Sequence, residues 1–81
     1  MVLSEHFYQN WQRRIGGRPT LSMVHRIVAE AVRVQAGMEI TTDSGRKIRI
    51  PSLYWHPGRR LFISLDTVTD VCITVVNESC I

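Results

Sequence analysis

The sequence predicts an α+β domain, with two N-terminal helices packed on one face of a four- to five-stranded, mainly antiparallel sheet. Three observations carry this reading. Apolar residues in the first half recur at three- and four-residue spacing, the period of a helix with one buried face. From residue 38 onward they alternate, the period of a half-buried strand. Short turn signals punctuate the alternating part, and helices followed by a run of strands mark the α+β class.

The first helix is expected over 4–15. Ser4 reads as its N-cap, with Glu5 in the first turn where an acidic group suits the helix dipole. Phe7, Trp11 and Ile15 form its apolar stripe, and Gly16-Gly17 ends it. The second helix is expected over 20–36, capped by Thr20. Its stripe runs through Leu21, Val24, Ile27, Val28, Ala31 and Val32 or Gln35, with Gly37 just beyond its end.

Strands follow at 38–42, 46–50, 52–56, 61–66 and 70–76. "DSG" is a hairpin turn between the first two, which place Ile48 and Ile50 on one face and Lys47 and Arg49 on the other. Pro51 marks an edge or bend. "PGRR" and "TVTD" are the later turns. Leu61, Ile63 and Leu65 alternate in the fourth strand, and Val71, Ile73 and Val75 in the last. If the helices cover the Ile48/Ile50 side, the opposite sheet face is open and positive. Residues 1–81 read as one domain without repeats or linkers.

Composition narrows the functional classes. A chain of 81 residues, 44% apolar and 21% charged, is ordinary for a small folded domain. No apolar run approaches a bilayer span, and "MVLSEHF" lacks the basic start and apolar core of a signal peptide, so a cytoplasmic protein without membrane partners is expected. Cys72 and Cys80 match no zinc spacing and read as a buried strand thiol and a free tail thiol. No Gly-rich phosphate loop, carboxylate pair or metal cluster is legible, and no cofactor is expected.

Net charge is +3, with ten basic residues of which all but Lys47 are arginine. Arginine's planar fork grips phosphate through two bonds, so RNA or another polyanion is the expected partner. His6, Asn10 and Arg13 share one stripe of the first helix, turned away from Phe7 and Trp11, where an imidazole and a guanidinium could flank a phosphate. Arg14 lies one step round, toward the sheet edge. Lys47, Arg49, Arg59 and Arg60 supply further cations, and Tyr54 or His56 beside them would suit single-stranded nucleic acid. A solvated helix face and an ordinary charged sheet surface are the bland alternatives.

Two stretches add a resemblance. "SEHFYQNWQRR" supplies Ser4 and His6 with Arg13 and Arg14 about two turns later, and "LFISLDTVTDVCITVV" supplies Asp66 before a turn and Ile73-Thr74-Val75 after it. In these features, and in layout, the chain resembles small bacterial domains of the barnase, EndoU, colicin and RelE type, nearest to the domain of unknown function 4258 and to BrnT- and RelE-type toxins. It departs from them in having Phe7 where alanine usually follows the helical histidine, and in the unmatched "PSLYWHPGRR". The resemblance implies a toxin-like, metal-independent endoribonuclease with His6, Arg14 and Thr74 as catalytic candidates. The alternatives are a non-catalytic nucleic-acid-binding module and a phage-derived interaction domain, the latter pairing with an antitoxin-like protein or a second copy through an edge.

Overall fold

The computed structural model describes residues 1–78. Its elements are β1 (Val2–Leu3), α1 (Glu5–Arg14), α2 (Leu21–Glu30), β2 (Val32–Gln35), β3 (Met38–Thr41), β4 (Lys47–Ile50), β5 (Ser52–His56), β6 (Leu61–Asp66) and β7 (Val71–Asn77). Five strands form one sheet in the order β1-β7-β6-β5-β2, antiparallel except for the β1–β7 pair, and β3–β4 form a separate hairpin. The class is α+β, as the periodicity predicts. Among the described residues no helix is long and apolar enough to cross a membrane.

α1 starts at its expected cap: Ser4 Oγ accepts from the Phe7 N–H at 3.0 Å. It stops where Gly16 and Gly17 take φ of 100° and 74°, the left-handed region that glycine enters without penalty. Phe7 and Trp11 are buried, but Ile15 lies past the last turn and is 41% exposed, so the stripe is one residue shorter than expected.

α2 is shorter than expected too. Thr20 caps it, with Met23 N–H donating to Thr20 Oγ1, but it ends at Glu30. Residues 32–35 are a strand, β2, at the sheet edge beside β5. Val32, Arg33 and Val34 satisfy a strand period as well as a helical one, and branched side chains at 32 and 34 favour the strand. Pairing with β5 decides between the two. Gly37 is therefore no helix terminator. It sits against Ser52, with its N–H donating to Ser52 Oγ at 2.8 Å, where an added Cβ would meet that oxygen at 3.0 Å and the Ile50 carbonyl at 3.1 Å.

Both helices contribute to one core on one face of the large sheet. Phe7, Trp11, Val24 and Ile27 meet Leu61, Ile63 and Leu65 of β6 and Cys72 and Val75 of β7. A β-bulge opposite Ser64/Leu65 shifts the register of β7. Cys72 thereby joins Val75 on the buried side, whereas plain alternation would have put Val71 and Ile73 there. Burial pushes the Cys72 thiol up to about 11, so it is an inert packing group. Cys80 lies outside the described residues.

The helices do not cover Ile48/Ile50. Those residues belong to the β3–β4 hairpin, in which Met38 pairs with Ile50 and Ile40 with Ile48. Its turn runs through Gly45 at φ 83°, as "DSG" predicts. Met38, Ile40 and Ile48 are exposed. Replacing Gly37 by alanine should lower stability by about 1–3 kcal/mol, because backbone as well as a side chain must move to admit the methyl; urea unfolding with an unchanged slope checks this.

Candidate nucleic-acid interface

The flank of α1 that carries His6, Asn10 and Arg13 meets β7. Asn10, only 3% exposed, is the hub. Its Nδ2 donates to Thr74 Oγ1 at 2.8 Å and to His6 Nε2 at 2.9 Å, and its Oδ1 accepts from Arg13 Nη2 at 2.7 Å. Arginine can only donate, so the amide has one orientation: oxygen toward Arg13, nitrogen toward the histidine. An amide N–H in turn needs an acceptor. His6 Nε2 is therefore the lone-pair nitrogen, and the neutral ring carries its hydrogen on Nδ1. The His6 side chain remains exposed.

Arg14 does a different job. Its Nη1 donates to the Val75 carbonyl at 2.7 Å, and Asn77 Nδ2 returns a bond to the Arg14 carbonyl at 2.9 Å. At the other end of the helix Ser4 Oγ donates to the Ile73 carbonyl at 3.1 Å. β1 pairs with β7 at Val2–Val71 and Leu3–Cys72. Beyond that point, helix side chains supply donors to the carbonyls of β7.

The remaining predicted cations do not gather on one open face. Lys47 and Arg49 stand on the hairpin, each with a carboxylate: Lys47 with Glu39 at 3.7 Å, Arg49 with Asp66 at 3.7 Å. Partial desolvation pushes the Asp66 carboxyl up, but the Val68 and Thr69 N–H groups, the Thr69 hydroxyl and the Arg49 charge outweigh it and hold it below the usual carboxylate range. Arg60, at φ 54°, is bonded through its guanidinium to Glu78, which raises the arginine and lowers the glutamate. Arg59 lies exposed in the turn.

Tyr54 and His56 are not on an open face either. Both sit on the core side of β5, across from Ile63 and Leu61. Tyr54 packs on the core, and His56 is buried, its Nδ1 accepting from the Arg59 N–H at 2.9 Å and its Nε2 facing Glu30 at 3.1 Å. Trp55, between them, faces the other way. Strand parity decided this, and "SLYWH" read alone supports either parity.

A hollow of about 820 Å³ opens on the opposite flank of α1, between Leu3, Tyr8, Gln12 and Arg18, with the Arg18 guanidinium 4.2 Å from the Tyr8 ring centre. It shares no residue with the Asn10 network. Asn10 itself was legible as a member of the His6–Arg13 stripe. What could not be seen was Thr74, 64 positions further along, arriving at its amide.

Arg14→Ala should cost about 1–2 kcal/mol of stability, since the Val75 carbonyl loses a charged donor at a part-buried site; thermal or urea unfolding beside Arg13→Ala, with a smaller loss expected for the latter, checks the assignment. No protein-family model, curated protein or solved structure matches the chain.

Proposed function

We propose that this chain is an RNA-binding, toxin-like, metal-independent endoribonuclease acting in the cytoplasm. The observation that carries the reading is the convergence of His6, Arg13 and Thr74 on the Asn10 side chain. These residues unite a lone-pair imidazole nitrogen, a guanidinium and a hydroxyl at an exposed helix flank. Cleavage at a ribose 2′-hydroxyl asks for those groups: a proton acceptor, and donors for the phosphate oxygens.

In this reading the substrate hydroxyl takes the place of the Asn10 N–H at His6 Nε2. As the 2′-oxygen bonds to phosphorus, its proton passes to Nε2. The phosphorus–5′-oxygen bond breaks, and the imidazolium returns the proton to the leaving oxygen. Arg13 and the Thr74 hydroxyl hold the non-bridging oxygens. Arg14 contributes charge from its anchored position one residue on, and holds α1 on β7.

A specific observation favours a second reading. Met38, Ile40 and Ile48 form an exposed apolar face on the β3–β4 hairpin, the kind of surface that meets a protein. On that reading the chain is an interaction domain whose partner is an antitoxin-like protein or a second copy.

Purified protein in EDTA should cleave single-stranded RNA to fragments ending in 2′,3′-cyclic phosphate, and His6→Ala should lose at least about a hundredfold of that rate while keeping the wild-type melting temperature. Equal cleavage by His6→Ala removes the catalytic assignment. The second reading is checked by light scattering of wild type beside Ile40→Glu: an assembly that the variant dissolves supports it, and a monomer throughout counts against self-association.

A further inference from the structure

The large sheet has a second face, and among the described residues no helix lies on it. The pairing fixes which residues it carries. Leu61, Ile63 and Leu65 are buried on the core side, so Phe62 and Ser64 point away from it. Their partners share that side: Trp55 opposite Phe62, Leu53 opposite Ser64, and on the other flank Val76 and Thr74. All six are partly exposed.

This face is aromatic at one end. The Trp55 and Phe62 rings lie 4.5 Å apart between centres, tilted by 40°. The Arg60 guanidinium stands 6.0 Å from the Trp55 ring centre, held there by its bonds to Glu78. The two neighbours brace the indole, so the surface it keeps exposed is presented in one orientation. At the other end of the face is Thr74, bonded to Asn10 and through it to His6 and Arg13. Thr74 and Trp55 are two strands apart, roughly 10 Å across the sheet.

We propose that Trp55, supported by Phe62, is a base-stacking subsite for single-stranded RNA, on the sheet face that carries Thr74, the strand member of the Asn10-centred cluster. The proposal rests on the RNA reading above and deepens it by naming the substrate as single-stranded. The occupant follows from the two ends of the face. A partly exposed aromatic ring stacks on any base, and a guanidinium beside a hydroxyl takes a phosphate. A short unpaired segment spans from one to the other. A duplex cannot, because its bases are already stacked on each other and closed to the indole. Exposed Arg59 in the β5–β6 turn adds a cation next to the aromatic end.

The test is binding of a labelled, uncleavable 2′-O-methyl RNA oligonucleotide, single-stranded or annealed, to the full chain by fluorescence anisotropy. Wild type should prefer the single strand. Trp55→Ala should weaken single-strand binding about tenfold or more, with the slope of affinity against salt unchanged, since stacking releases no counterions. Trp55→Phe should retain most of the affinity, which keeps the test valid if the alanine variant folds poorly. Arg13→Ala should instead reduce the salt slope. Binding within twofold of wild type for Trp55→Ala overturns the proposal. So does equal loss on duplex and single strand, absence of any binding by wild type, or a wild-type dimer that Trp55→Ala dissolves, which would mean a second copy covers this face. If the single-strand preference and its Trp55 dependence hold but ordinary RNA is not cut, the subsite stands and the nuclease reading falls. If RNA is cut and Trp55→Ala binds and cuts normally, the subsite alone falls.

Discussion

The arrangement depends on how α1 is fastened to β7. Two kinds of contact do it at once. Phe7 and Trp11 enter the core beside Cys72 and Val75, and polar side chains reach β7 itself: Ser4 to Ile73, Arg14 to Val75, and Asn77 back to Arg14. The apolar contacts supply most of the free energy, because they remove large side chains from water. The polar ones set position along the strand, because carbonyls accept from a few directions only. A helix held by apolar contacts alone could slide or roll by a fraction of a turn. Four directed bonds, with Asn10 to Thr74 among them, remove that freedom.

That fastening creates the polar cluster as a by-product of geometry. With Phe7 and Trp11 turned inward, the His6–Asn10–Arg13 flank must fall at the border between the helix and the outer sheet face. The bulge in β7 matters here. It absorbs one residue, so that Cys72 and Val75 both serve the core while Thr74 pairs with Ser64 on the other side. Without that extra residue, one of these three would be misplaced. The buried amide of Asn10 then has its donors and acceptor all satisfied, as a polar group away from water requires. The same demand fixes which nitrogen of His6 keeps its lone pair.

The cations are distributed quite differently from what their number suggests. Lys47, Arg49 and Arg60 each face a carboxylate, so these three do not add up to one open basic surface. Charge counts in a sequence carry no information about pairing across turns, and Arg49 reaches Asp66 only because the hairpin folds toward the β6–β7 turn. Arg13 differs in that its partner is a neutral amide, the Asn10 Oδ1.

What the sequence determined by itself is the local grammar: caps at Ser4 and Thr20, the glycine stop after α1, the "DSG" turn, and the buried alternation of Leu61, Ile63 and Leu65. Each depends on contacts within a few residues, so each is legible from short windows. The tertiary structure decided the rest. It ended α2 at Glu30 because β5 offered residues 32–35 a ladder, set the hairpin apart from the sheet, and turned Tyr54 and His56 inward while Trp55 faced out. It also delivered Thr74 to Asn10. The physical reason is common to all of these: strand parity, edge pairing and helix register are settled by partners distant in the chain, and a period of two fits both faces of a sheet equally well until one of them is buried.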